Sequence, residues 1–314
     1  MIEYYEQTAE KYLKLLNSTD TDPEENNKID MKEITGKLED AKKRIGELTL
    51  MQEEIEKTGE ISLTDPDSRH MSVSNNGTDI AHNVQVAVDS KHHLVIALDV
   101  VSEPADSKQL YPMAELAKKE LGVDTITALA DKGYYSGEEL KSCQGNGITA
   151  IVSKQKLCNR TGDAAYAKDM FLYDKEKDIY ICPEGKELHR KSRITAKKQN
   201  FICPDCKDCP ARDKCTKGSD GRMVTESEHQ EYYDVTDKLY AGNADLYKQR
   251  QRIVEHPFGT IKRAMGYSYF LLRGNKKVKC ESYMHFLTYN LKRVINIKGI
   301  IPLLYELNAV KQGI

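Results

Sequence analysis

Ala128-Leu129-Ala130-Asp131-Lys132-Gly133-Tyr134 is the stretch on which the fold turns: an apolar run beginning near Thr125 stops at an acid, and a glycine follows two residues later. A short apolar run bounded by turn residues reads as a buried strand. Gly133 permits a tight turn directly after it. Working outward, His82 to Asp89 and Leu94 to Val101 look like two strands. Ser90-Lys91-His92-His93 is short enough to join them as an antiparallel hairpin. An amphipathic helix is expected from about Ser107 to Leu121, a second helix from about Ser136 to Cys143, and a strand at Thr149 to Val152. Hairpin, helix, strand, helix, strand is an α/β order, and ligands of such sheets gather beyond the carboxyl ends of the strands. Asp131 occupies such an end. The competing reading is that it caps the helix that follows.

At 314 residues the chain has room for one large domain with insertions or for two smaller ones. Its 31% charged content leaves no apolar run near the length of a membrane span. The segment Met1-Ile2-Glu3-Tyr4-Tyr5-Glu6 is acidic, unlike a secretory signal, so a cytoplasmic protein is expected. Acids crowd the first 60 residues and Lys and Arg dominate from about Arg190, so the formal charge of -2 conceals a basic half suited to a polyanion.

Before the hairpin, Ile2, Tyr5, Ala9, Tyr12 and Leu16, then Met31, Ile34, Leu38, Ala41, Ile45, Leu48 and Ile55, recur at steps of three and four, broken only at Gln52. Two such stripes around the polar Asn17 to Asn27 loop predict an antiparallel helical hairpin. Ile61 to His70 follows as an extended piece in which Pro66 bars a helix, and Asn75-Asn76-Gly77 reads as a turn. From Ser153 to Thr236 the pattern becomes Lys-rich, Cys-rich and weakly periodic, which reads as an insertion.

The second candidate acid is Glu255, in Val254-Glu255-His256-Pro257-Phe258-Gly259-Thr260-Ile261-Lys262. Arg250 and Arg252 precede it and Lys262 and Arg263 follow. Glu255 and Lys262 share a face if the helix runs straight, but Pro257 is expected to kink that helix or to begin a new one. On these residues alone, a surface ion pair competes with a functional carboxylate.

His82 to Asp89, Ala130 to Tyr134, Val254 to Lys262 and Tyr289-Asn290-Leu291-Lys292-Arg293, taken in this order, resemble bacterial insertion-sequence transposases of the DDE class, in the branch with a Cys-rich insert before the glutamate. The resemblance runs from Thr64-Asp65-Pro66-Asp67-Ser68-Arg69 to Arg293. It implies a ribonuclease-H-like α/β core with an N-terminal helical hairpin and a Cys-rich insertion. It further implies three carboxylates holding Mg²⁺ or Mn²⁺ for attack on a DNA phosphodiester. By similarity Asp131 is the second carboxylate and Glu255 the third. Lys262 matches the basic residue of a Tyr-Arg-Glu-Lys signature, with Tyr247 and Arg250 upstream at an offset one residue too long.

The first aspartate of the family ends a strand of Asp-Gly-Thr type, and no such strand precedes Ile61. A truncated transposase lacking that strand is one expectation; Asp65 or Asp67 serving as the first acid is the other. The expected layout is a hairpin over 1–60, the first part of the core over 61–153, a Cys-rich basic insertion over 154–236 and core helices carrying the glutamate over 237–314.

Cys203, Cys206, Cys209 and Cys215, with Cys182 upstream, supply more thiolates than a structural Zn²⁺ needs. Arg250, Arg252, Lys262, Arg263, Arg273, Lys276 and Lys277 are the candidate DNA contacts. The expected partners are transposon ends and target DNA in the nucleoid, with the complete protein acting as a homodimer. A non-catalytic, zinc-stabilised DNA-binding remnant is the alternative function.

Overall fold

The computed structural model describes residues 1–19, 31–73, 77–154, 161–191 and 198–311. The chain divides into two compact units, one made of Met1–Asn83 with Leu271–Val278, the other of Val84–Phe270 with Lys279–Ile314.

In the first unit, α1 (Ile2–Thr19) and α2 (Met31–Thr58) pack along the stripe read from the sequence. Ala9, Leu38 and Ala41 are buried among Tyr5, Tyr12, Leu16 and Ile45. Most of the expected Asn17 to Asn27 loop lies outside the described residues, as do Asn75 and Asn76 of the expected turn. Strands β1 (Arg69–Val73) and β2 (Gly77–Ala81) pair antiparallel, Arg69 opposite Ala81.

Asp65 is buried and fully occupied in this unit. Its carboxylate accepts from the Asp67 and Gly274 backbone N–H groups at 3.3 and 3.1 Å, and His82 Nε2 lies 2.8 Å from Oδ2. Asn275 N donates to Asp67 Oδ2 at 2.8 Å, so the two acids together clamp the segment at 274–275. Burial opposes ionisation of Asp65, but the donors at His82, Gly274 and Asp67 outweigh it and hold the carboxyl below the usual range. A depressed carboxyl stabilises the fold above its ordinary value near 3.9, and that contribution disappears as pH falls through the folded value. Asp65→Ala leaves buried donors unpaired at a cost of about 1–3 kcal/mol. Hydrogen exchange at the Gly274 and Asn275 amides should then quicken by about 10- to 100-fold at neutral pH. Unchanged protection would show that the clamp is idle.

In the second unit, β3 (Asn83–Val88) and β4 (Val95–Val101) pair across a turn closed by Asp89 N donating to Leu94 O at 2.8 Å. Next come α3 (Leu110–Leu121), β5 (Ile126–Ala130), α4 (Gly137–Gly145) and β6 (Ile148–Val152). Strands β5 and β6 are parallel, Ile126 beside Ile148 through Ala130 beside Val152, as a crossover through a helix requires. Helix α3 covers both strand pairs. Its Met113 and Ala117 pack with Ala97 of β4, Ala87 of β3 and Ile126 of β5, while Leu110 and Ala114 join the cluster over β6.

The Cys-rich region is more ordered than its pattern suggests. It forms β7 (Leu172–Asp174), β8 (Ile179–Ile181), β9 (Glu187–Arg190), β10 (Lys198–Ile202), α5 (Arg212–Cys215) and β11 (Met223–Ser227). The five strands make one antiparallel sheet in the spatial order β11-β10-β9-β8-β7, with its own core around Phe201, Leu188 and Val224. Helices α6 (Gln230–Gly242), α7 (Ala244–Gly259), α8 (Asn275–Lys298) and α9 (Ile300–Lys311) complete the chain. The whole is a mixed α/β protein. No helix among the described residues is long and apolar enough to cross a membrane.

Candidate active site

Asp131 stands at the carboxyl end of β5 with its side chain 52% exposed. The capping role raised by the sequence is present there, and the ion pair that the sequence raised for Glu255 falls to this residue instead. Its Oδ1 accepts from Lys132 N at 2.8 Å, capping the 3-10 turn Lys132–Tyr134, and lies 3.5 Å from Arg250 Nη2. Neither contact occupies the second oxygen.

Helix α7 brings the other motif to this place. Tyr247 Oη donates to Ala130 O and contacts Ser153 Oγ, each at 3.0 Å, which fixes the helix to the end of β5. One turn on, Arg250 lies over the Tyr247 ring at 5.4 Å and reaches Asp131. Ile253, Pro257 and Ile261, spaced at four residues, form the buried stripe. Phe258 and Ile261 pack with Val84, Val86, Val95 and Leu98 of the β3–β4 hairpin. Glu255 is therefore carried between two anchors, on the exposed side of α7.

Pro257 does not start a new helix. It sits inside the last turn, buried, and the chain widens into a π-turn at Thr260–Ala264. Its missing N–H leaves a carbonyl unused one turn back, a defect that a helix end tolerates best. Met265 N donates to Thr260 O at 3.0 Å and closes the widened turn. Lys262 turns its ammonium toward the Phe258 ring, 5.9 Å from its centroid, rather than toward Glu255.

Three residues of this region were not singled out by the sequence. Gln251 Nε2 donates to Glu255 Oε1 at 2.8 Å, so the partner of the glutamate is the residue four before it, and Arg250 belongs to Asp131 instead. The i, i+4 spacing was the available signal. Gln85, the one buried residue of β3, donates to Asp106 Oδ1 at 2.7 Å and accepts from the Tyr134 hydroxyl. Burial pushes that hydroxyl well above the ordinary phenol range, and Asp106 adds to the effect. Asp106 Oδ2 lies 3.5 Å from where a Gly133 side chain would begin, so a second carboxylate borders the Asp131 turn. A glutamine in an apolar strand and an acid before a helix carry no motif that would have marked them.

Among the described residues, no group of three His, Cys, Asp or Glu side chains is gathered tightly enough to hold a metal ion. Of the candidate DNA contacts, Arg252, Lys262 and Arg263 are exposed in this unit, whereas Arg250 is largely covered. Arg273, Lys276 and Lys277 are exposed in the other unit, which also holds Asp65 and Asp67. Cys182, Cys203, Cys206, Cys209 and Cys215 line one cavity.

Residues 181–295 match the family model described as a transposase DDE domain. That match supports a DDE-class transposase. It takes in the cysteines from Cys182 onward, α7 with Glu255, and most of α8; Asp131 lies before it. No curated protein and no solved structure matches the chain.

Proposed function

We propose that the protein is an insertion-sequence transposase that breaks and joins DNA phosphodiester bonds, with Asp131 and Glu255 as two of its three metal-binding carboxylates. One observation carries this reading: within the matched segment, the helix bearing Glu255 is bonded through Tyr247 to the strand that ends in Asp131. Both acids are exposed oxygen donors of the kind Mg²⁺ or Mn²⁺ takes. Such an ion supplies Lewis-acid polarisation of a phosphate and favours an ionised attacking oxygen. The chain's own part is to position: Gln251 orients Glu255, Lys132 N orients Asp131, and Arg250 offsets charge as a phosphate approaches. Arg252, Lys262 and Arg263 hold the DNA backbone without reading its sequence.

The sheet supports a ribonuclease-H-like core with one strand position open. Strands β3–β4 and β5–β6 are separately paired beneath the same helix. No residue of β5 is buried, against four in β6, and β3 buries only Gln85 while β4 buries three residues. Inner strands of a finished sheet are ordinarily its best covered, so this inversion favours a further strand between β3 and β5. A carboxylate on that strand, in this polypeptide or another, would be the third ligand. Asp65 and Asp67 are instead assigned to the clamp they already form.

The test is conversion of supercoiled DNA to nicked and linear forms in Mg²⁺ or Mn²⁺, with none in a chelator. DNA binding with no strand chemistry at any divalent concentration would overturn this reading and leave the zinc-stabilised DNA-binding protein in its place.

A further inference from the structure

The Cys-rich sheet holds a site whose chemistry is separate from that of the carboxylates. Five thiols, those of Cys182, Cys203, Cys206, Cys209 and Cys215, line a cavity of about 20 Å³. Cys203, Cys206 and Cys215 are buried, and Cys182 and Cys209 pack against them. The described cysteines are all free, so no disulfide accounts for the gathering.

Backbone amides are aimed at the sulfurs. The turn Cys182-Pro183-Glu184-Gly185-Lys186 joins β8 to β9, with Gly185 at φ 75, and sets Lys186 N 3.3 Å from Cys182 Sγ. Arg222 N donates to Cys206 Sγ at 3.3 Å. Gly221 makes that approach possible: its φ is 97, and a side chain there would begin 2.8 Å from Cys206 Cβ. An N–H group pointed at sulfur stabilises a thiolate more than a thiol, as charge-assisted hydrogen bonds do.

Charge complementarity points the same way. Arg222 lines the cavity, and its Nε is buried without a hydrogen-bond partner among the described residues. Its guanidinium lies over the Phe171 ring at 5.0 Å, and its Nη2 donates to Tyr166 O. A zinc held by four thiolates carries a net charge of about −2. A cation fixed at the wall offsets that charge.

We propose that this cavity is a structural zinc site, with Cys182 and Cys206 in a set of four thiolates drawn from the five. Cys182 and Cys206 are the two sulfurs that accept from the Lys186 and Arg222 backbone amides, which marks them as members of the set. A cavity of about 20 Å³ admits one ion, since a single water needs about 10–15 Å³ on the same measure. An iron–sulfur cluster would need far more. In the described arrangement the sulfurs are not gathered tightly enough to hold an ion, so binding requires the side chains to turn inward to Zn–S distances of about 2.3 Å.

The experiment is metal analysis of the full chain purified without added metal, with cobalt substitution of the same protein. One zinc per chain and the visible spectrum of tetrahedral cobalt thiolate are expected. Cys182→Ser and Cys206→Ser should each remove stoichiometric zinc. Full occupancy in both variants would overturn the assignment. So would a folded wild-type chain holding no metal, one with its thiols paired as disulfides, or one with the absorbance of an iron cluster; these need no variant to fold. DNA cleavage is not read in this experiment, so its outcome is independent of the carboxylate assignment.

Discussion

Asp131→Asn and Glu255→Gln will each slow metal-dependent DNA strand cleavage by roughly a thousandfold, the scale set by losing several kcal/mol of metal-borne charge stabilisation. These substitutions are chosen because they leave the local structure its bonds. An asparagine at 131 still offers a carbonyl oxygen to Lys132 N, which at present donates to Asp131 Oδ1 at 2.8 Å. Asparagine caps as well as aspartate does. A glutamine at 255 keeps an acceptor for Gln251 Nε2. What each variant loses is a negative charge on an exposed oxygen, so thermal stability and DNA affinity should stay close to those of the parent. Asp131 and Arg250 form a partly exposed pair, and breaking it costs stability little. If cleavage stays within about threefold of the parent in both variants, the two acids are the cap and the surface acid that simpler readings made them.

Gln251 provides a graded companion to that result. It touches Glu255 and no substrate-facing group, so its removal should weaken the response to low divalent concentration more than the rate at saturating metal.

The regular parts of this fold were legible because their periodicity is borne by side chains that end up buried. Leu38 and Ala41 mark the hairpin stripe and lie in its core, and Ala97, Leu98 and Val100 are the buried residues of the second hairpin strand. The Cys-rich sheet was not legible, for a physical reason. Its strands β7 and β8 are three residues long, and β9 buries Leu188 alone of its four. Alternation over so short a span cannot be told from a loop rich in lysine and cysteine. The aromatic pairs that hold it, Tyr173 with Tyr180 and Tyr180 with Phe201, join residues far apart in sequence.

The candidate site was half legible. Asp131 and Glu255 were readable as an acid after a strand and an acid in a basic motif. Their partners were not, because Gln85, Asp106 and Gln251 act through tertiary contacts or a spacing that any helix surface repeats. Pro257 was readable as a helix break and is not one. Its position in the last turn, next to the π-turn at Thr260–Ala264, lets the helix lose one hydrogen bond without ending.

Phe201→Ala is the structural counterpart, with an expected cost of about 3–5 kcal/mol in unfolding free energy. Phe201 is fully buried on β10, between β11 and β9 of the five-stranded sheet. The rings of Tyr173 and Tyr180 meet it edge-on at 6.0 and 5.0 Å, and the Arg190 guanidinium lies 5.6 Å from its centroid. These neighbours belong to three different strands, so they cannot collapse onto an alanine without breaking the ladder that holds them. The cavity therefore stays open, which puts the cost at the upper part of its range. Against a total of about 5–15 kcal/mol for a folded domain, such a loss leaves the sheet marginal. The strand carrying Phe201 runs directly into Cys203, so the same substitution should loosen the thiol cavity and speed transfer of zinc to a chelator. Equilibrium denaturation followed by tyrosine fluorescence measures the first effect and a chelator dye the second. A change below about 1 kcal/mol would mean that the sheet is held by something other than this core, and the metal site would then be the first place to look.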